Sequence, residues 1–317
     1  MQKGGFLLKM KSKRSKLERD SLGGDKSLLH KKEVNWFPNK AQVREDLYKY
    51  VVGEWSPQKP IISKNSNVIV FGDCFAQHIM KFLVNKGCRL PPDNVGLFFY
   101  SSQFVNTFSI LEQLEWILGR IALDDIEWFR GTSERSSEKK VVLNESERVS
   151  LYQKFKTTDI FILSMGLIEV WFNQGNRSLW RKSMKDSQNE IFKTTSFEQN
   201  KSNIEKICGY LSGLNPSCKI ILQISPIPFN VTFRKAPPLS VNCVGKSILR
   251  GAVDEFLREY EGNNIYYYPA YELITYCIKD PYDEDNRHLN DRAINEVFSL
   301  FGKCYMEKTS ERTNNNI

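Results

Sequence analysis

Two short stretches hold residue types suited to nucleophilic chemistry. The first is Val68-Ile-Val-Phe-Gly-Asp-Cys-Phe-Ala76. An apolar strand pattern runs into Gly72, and a helical pattern follows. Glycine permits the tight turn. Residue 73 or 74 then falls at a helix N-terminus, where free N–H groups and the helix dipole stabilise an anion. A thiol at Cys74 tends there toward thiolate, its nucleophilic form. Neighbouring backbone N–H groups could serve as oxyanion donors. The plain alternative is that Cys74 is a small buried apolar residue.

The second stretch is Asp285-Asn-Arg-His288, in a polar segment near the end of the chain. An Asp-x-x-His turn lets the carboxylate bond one ring nitrogen while the other faces a nucleophile. Here the plain alternative is that Asp285 caps the following helix and His288 is exposed. The other two histidines are His30, in the N-terminal region, and His78, one helical turn beyond Cys74.

The elements that must position these residues are legible as patterns. Continuous apolar runs at Asn67–Phe71, Val95–Phe99, Asp159–Leu163, Lys219–Ile224 and Ile265–Tyr268 predict strands covered on both faces. Helical spacing predicts helices over Phe75–Val84, Ser102–Ile121, Ser196–Leu214, Gly245–Tyr260 and Asn290–Tyr305. The alternation predicts an α/β protein: a three-layer α/β/α sandwich on a parallel five-stranded sheet. Sites in such sheets lie at the carboxyl ends of the strands. Gly131–Arg148 and Trp171–Gln199 break the alternation and read as surface insertions. The second follows a candidate site strand and could form a lid or substrate wall.

Charge is unevenly placed. The chain has 45 Lys+Arg against 37 Asp+Glu, and Met1–Lys32 alone has ten basic against three acidic residues. We read 1–33 as a basic disordered leader, 34–309 as one α/β domain and 310–317 as a polar tail. Nucleic-acid binding would rest on the leader alone and is not favoured. Phe6-Leu-Leu8 is too short for a signal core, and no run is long enough for a membrane span. The seven cysteines are scattered, without a C-x-x-C pair. No metal, cofactor or disulfide framework is expected, and the chain reads as cytoplasmic.

Taken in order, the motifs carry a resemblance. A Gly-Asp-nucleophile turn after the first strand and an Asp-x-x-His near the C-terminus are the two ends of the SGNH, or GDSL, hydrolase pattern. The interior resembles the GSCFA family, an SGNH-related group whose first motif here reads Gly72-Asp73-Cys74-Phe75-Ala76. Ser164–Trp171, Ser225–Phe229, Val241–Arg250 and Tyr268–Glu272 are also similar to that family. The resemblance spans about residues 60 to 302. Where the family has Ser, this chain has Asp73. Read by the family's Ser, the nucleophile position is Asp73, which cannot attack as Ser would. Read in the Gly-Asp-Ser register of ordinary hydrolases, it is Cys74. We favour the second.

The resemblance implies acyl transfer: Cys74 as nucleophile, His288 as base, Asp285 orienting it, and Asp73 as the acidic neighbour. It implies an esterase or O-acyltransferase on a small-molecule or carbohydrate ester, such as one of polysaccharide modification, with an acyl thioester as a conceivable donor. The oxyanion would rest on backbone N–H groups of Gly96 and Ile168. Ile168 stands where SGNH enzymes have Asn, and losing one donor costs about 10²–10³ in rate. Glu169, Trp171, Asn242 and Lys246 are candidate substrate-binding residues, with Asn242 as a helix cap and Trp171 as core the plain alternatives. Pro226, Pro228, Tyr271 and Glu272 read as structural. Asp73 and Ile168 also leave room for a catalytically decayed binding or scaffold protein on the same fold.

Overall fold

The computed structural model describes residues 36–88, 105–126, 128–130, 139–178 and 190–307. The leader to residue 35, the expected strand Val95–Phe99 with Gly96, the core of the expected lid at 179–189 and the polar tail lie outside the described residues. The chain divides into two units, Met1–Glu45 and Asp46–Ile317. In the first, the helix Lys40–Glu45 starts where Asn39 Oδ1 accepts from the N–H groups of Ala41 and Gln42.

The second unit is built on β1 (Val68–Phe71), β4 (Ile160–Met165), β7 (Lys219–Ile224) and β8 (Ile265–Tyr267), side by side in that order and all parallel. These strands are buried because their sequences are apolar at successive positions, not alternate ones. Val68, Ile69, Val70 and Phe71 are each at most 1% exposed. Each such side chain stabilises the fold by roughly 1.5–3 kcal/mol. Register is set by pairs such as Phe71 with Leu163 and Leu163 with Leu222. Because the strands are parallel, their carboxyl ends share one edge.

Helices cover the sheet in the expected α/β/α arrangement: α1 (Cys74–Asn85), α2 (Thr107–Ile117), α3 (Glu145–Lys156), α4 (Phe197–Leu214), α5 (Pro238–Glu259) and α6 (Asp291–Tyr305). Local sequence fixes their starts. Asn144 with Glu147 and Ser196 with Gln199 form capping boxes. Asn290 Oδ1 accepts from Ala293 N–H. The ring of Phe155 on α3 meets Phe71 and Phe161, at 5.9 and 5.6 Å. Phe298 on α6 stacks on both Phe75 and Phe82 of α1 at 5.4 Å. This last contact ties the element after Asp285-x-x-His288 to the element that begins at Cys74.

Two expectations are corrected. Helix α5 begins at Pro238, not Gly245, because Pro at the first turn has its φ already set and no N–H to lose. Asn242 is therefore inside the helix and caps nothing. Asp285 does not cap α6, since Asn290 does. The two insertions are partly regular. Trp128–Arg130 (β2) pairs antiparallel with Lys139–Val141 (β3), and Glu169–Phe172 (β5) pairs antiparallel with Ile191–Thr194 (β6).

Candidate active site

The turn between β1 and α1 is held by close packing and by one carboxylate. Gly72 has φ +140°, and a Cβ there would lie 2.5 Å from Ser164 O and 2.6 Å from Ser164 Cβ. Only glycine fits. Asp73 is the N-cap of α1, its Oδ1 accepting from Phe75 N–H at 3.0 Å. Its Oδ2 accepts from Ser225 Oγ–H at 2.5 Å. Both carboxylate oxygens are thus engaged by the scaffold. Cys74, half-buried, is the first residue of the helix. Burial raises the thiols of Cys88, Cys208, Cys218, Cys277 and Cys304, the third and fifth to about 11, which disfavours the thiolate at each.

After β4, the chain passes Gly166, Leu167 and Ile168. The N–H groups of Gly166 and Leu167 both donate to Val105 O, at 2.8 and 3.2 Å. Of these three N–H groups, that of Ile168 alone makes no hydrogen bond to a described residue. Its side chain is buried against Gly245 of α5, where a Cβ would lie 3.5 Å from Ile168 Cγ1.

Lys246 is fully buried, one turn beyond Asn242 on α5. Its ammonium donates to Gly166 O at 3.1 Å and Ile227 O at 2.9 Å, joining the segments after β4 and β7. Burial pushes it down to about 8, against the opposing pull of the Asp73 carboxylate. A Cβ at Gly166 would be 3.3 Å from Asp73 Oδ2 and 3.7 Å from Lys246 Nζ. Asp73, Ser225 and Lys246 therefore meet around one glycine. Lys246 spends its charge on the scaffold and not on an open pocket.

At the far end of the chain, Asp285 and His288 form a closed turn. Asp285 Oδ1 accepts from the N–H groups of His288 and Arg287, at 2.9 and 3.0 Å. Asp285 Oδ2 meets His288 Nδ1. The backbone N–H and the imidazole of His288 hold this carboxyl down to about 2. Arg287 Nη1 lies 3.1 Å from His288 Nε2, and Arg287 Nε donates to Pro228 O at 3.1 Å. The turn is thereby fastened to the segment after β7. On α1, burial and then the Lys81 charge lower the imidazole of His78 below its ordinary value, with Asp73 and Asp291 pulling it up and His288 adding to the fall.

The remaining candidates sit to one side. Glu169, Asn242, Gly166, Ile168, Val231 and Gly245 line a narrow pocket. Glu169 accepts from Thr232 Oγ1 at 2.7 Å and Phe233 N–H at 3.2 Å. Asn242 Oδ1 is buried and has no hydrogen-bond partner among the described residues. Trp171 packs on Phe192 and Phe233, at 5.2 and 5.0 Å. Glu272 accepts from Arg250 and Tyr267, a structural cross-link. Sequence reasoning assigned no role to Ser225 or Arg287. Ser225 opens the Ser-Pro-Ile-Pro-Phe motif, and Arg287 stands inside Asp-x-x-His, so position within a motif was the available signal. Among the described residues, no cluster could hold a metal ion and no helix is long and apolar enough to cross a membrane.

No curated protein matches the sequence. Among solved structures, a carbohydrate esterase family 3 protein from Talaromyces cellulolyticus aligns at 10% identity and TM-score 0.38, covering 75% of this chain and 95% of its own. A GDSL-like lipase from Bacteroides thetaiotaomicron aligns at 10% identity and TM-score 0.39, covering 84% and 95%. A Clostridium thermocellum family 3 carbohydrate esterase aligns at 9% identity and TM-score 0.32, covering 76% and 94%. The GSCFA family model matches residues 67–301, and the chain belongs to the GSCFA family.

Proposed function

We propose that the chain is an acyl-transfer enzyme that works through a thioester on Cys74. His288 takes the Cys74 proton at Nε2, and the sulfur attacks the carbonyl of an ester or thioester. The tetrahedral oxyanion is met by backbone N–H groups, that of Ile168 among them. His288 returns the proton to the leaving oxygen or sulfur. Water or an acceptor hydroxyl then releases the acyl group, giving esterase or acyltransferase activity. Asp285 keeps the imidazole in the Nδ1–H tautomer. A small-molecule or carbohydrate ester is the proposed substrate, as the resemblance implies.

The observation that carries this reading is the division of labour at the first turn. Asp73 is consumed by Phe75 N–H and Ser225 Oγ, which leaves Cys74 as the residue able to attack. Incubation with p-nitrophenyl acetate and intact-mass analysis tests it. One acyl adduct is expected on the wild type and none on Cys74→Ala. Equal labelling of the two proteins would remove the proposal.

A second reading, a binding or scaffold protein on the same fold, draws on the apolar Ile168 and on the Arg287 guanidinium against His288 Nε2. It predicts a Cys74 thiol with ordinary reactivity, indifferent to replacement of His288.

A further inference from the structure

The Arg287–His288 contact admits one polarity only. His288 Nδ1 faces the Asp285 carboxylate, which accepts and cannot donate when ionised, so Nδ1 carries the hydrogen. Nε2 then presents its lone pair. Arg287 is always protonated and offers N–H donors with no acceptor. At 3.1 Å, therefore, Arg287 Nη1 donates and His288 Nε2 accepts. That lone pair is the one the proposed mechanism requires for the Cys74 proton. It can hold one hydrogen at a time.

We infer that Arg287 is the site's receptor for an anionic oxygen, a carboxylate or phosphate on the substrate, and that it masks the base until such an anion draws the guanidinium away. This rests on the acyl-transfer reading above. The stem of Arg287 is anchored, with Nε on Pro228 O and the backbone N–H on Asp285 Oδ1. Only the Nη end is left to change partners, and Nη2 makes no hydrogen bond to a described residue. The side chain is half-buried and reachable. The Lys246 cation and Arg287 act on each other, and the carboxylates around them are already engaged, Asp285 by His288 and the Arg287 backbone N–H and Asp73 by Ser225 and Phe75 N–H. A carboxylate adds ion-pair attraction to the hydrogen bond and can accept from two guanidinium N–H groups at once, where the imidazole nitrogen accepts one. An arriving carboxylate therefore wins the guanidinium from the imidazole. A purely structural Arg287, fastening the turn to Pro228, would respond to no anion.

Alkylation of the full chain tests this without any knowledge of the substrate. Iodoacetamide is neutral and iodoacetate carries a carboxylate. In each reaction the Cys74 proton passes to His288 Nε2, the S–C bond forms, the C–I bond breaks and iodide leaves. Rates are read on the Cys74 peptide by mass spectrometry, with the exposed Cys243 as internal reference. In the wild type, Cys74 should favour iodoacetate over iodoacetamide by about 10-fold more than Cys243 does, the fold-change expected of one charge-assisted hydrogen bond. In Arg287→Gln that preference should vanish, and the iodoacetamide rate should rise as the lone pair is freed. Inorganic phosphate should speed iodoacetamide labelling of the wild type and leave Arg287→Gln unaffected. An unchanged preference in Arg287→Gln, or an iodoacetamide rate that stays level or falls, overturns the inference. Arg287→Lys, which keeps the charge without the fork, serves if the Gln variant does not fold, and should lose most of the preference. His288→Ala separates the two claims. If it leaves Cys74 labelling unchanged, the acyl-transfer reading fails. If it slows labelling while Arg287→Gln speeds nothing, only the masking role fails.

Discussion

Ser225 Oγ donates to Asp73 Oδ2 at 2.5 Å, a link between the end of β7 and the turn that starts α1. Asp73 Oδ1 at the same time caps α1 through Phe75 N–H. One carboxylate therefore holds two strand ends and one helix start in register.

Asp73→Ala should be among the more damaging single changes in the chain. It removes an N-cap, which costs about 0.5–2 kcal/mol, and takes the acceptor from the O–H of the fully buried Ser225, whose Oγ keeps only the Ile227 N–H, which costs about 1–3 kcal/mol more. Urea denaturation should show the sum as a lowered midpoint with unchanged slope. Asp73→Ser, which places the family's residue in the turn, keeps a capping oxygen and should lose less than Asp73→Ala. Equal losses in the two variants would show that the capping oxygen contributes nothing.

Gly72→Ala tests the close approach beneath that turn. A Cβ would lie 2.5 Å from Ser164 O, at a φ of +140°. Backbone strain and overpacking each cost roughly 1–3 kcal/mol. Thermal unfolding should place this variant well below the wild type. A Tm within a degree of it would mean that β1 and β4 can part at their carboxyl ends.

Most of the fold was legible because the buried strands hold unbroken apolar runs, as in Ile160–Leu163 and Ile220–Leu222. The start of α5 was not. Val241-Asn-Cys-Val-Gly245 has no clear helical period, and the deciding signal was the paired Pro237 and Pro238. In the site, Asp285 and His288 lie three apart, so their pairing follows from spacing. The Asp73–Ser225 bond joins residues 152 apart, and no local pattern encodes such a contact. Lys246 read from sequence as a candidate substrate-binding residue. It is buried because the helix turns it toward Gly166 and Ile227.

Glu112 of α2 gives a pH dependence away from the site. Its carboxylate accepts from Ser178 N–H at 2.9 and 3.1 Å and from Ser178 Oγ at 2.5 Å. Burial nevertheless raises it to about 7, with the Ser178 hydrogen bonds and the Arg177 charge pulling the other way and Glu115 adding to the rise. The folded state then binds this proton more tightly than the unfolded chain does. Its contribution to stability is complete below the unfolded carboxyl value and is lost as pH rises to about 7. Glu112→Gln removes the titration. Relative to that variant, the wild type should lose on the order of 2–3 kcal/mol between pH 4.5 and 7.5, read by urea denaturation at each pH. A gap that is constant with pH would show that Glu112 titrates alike in both states.

Asp285→Asn asks whether the turn sets the tautomer of His288. The amide can keep its oxygen on the Arg287 and His288 backbone N–H groups, which now bond Asp285 Oδ1. Its NH₂ then faces Nδ1 and donates to it. That moves the imidazole hydrogen to Nε2, where it can no longer accept the Cys74 proton. Acyl transfer to Cys74 from p-nitrophenyl acetate should fall by about 10³–10⁴, with little change in folding because the turn is exposed. The loss should appear in the rate of adduct formation and not in apparent substrate binding. If Asp285→Asn acylates at the wild-type rate, the carboxylate only shapes the turn, and the tautomer of His288 is fixed by the arginine beside it.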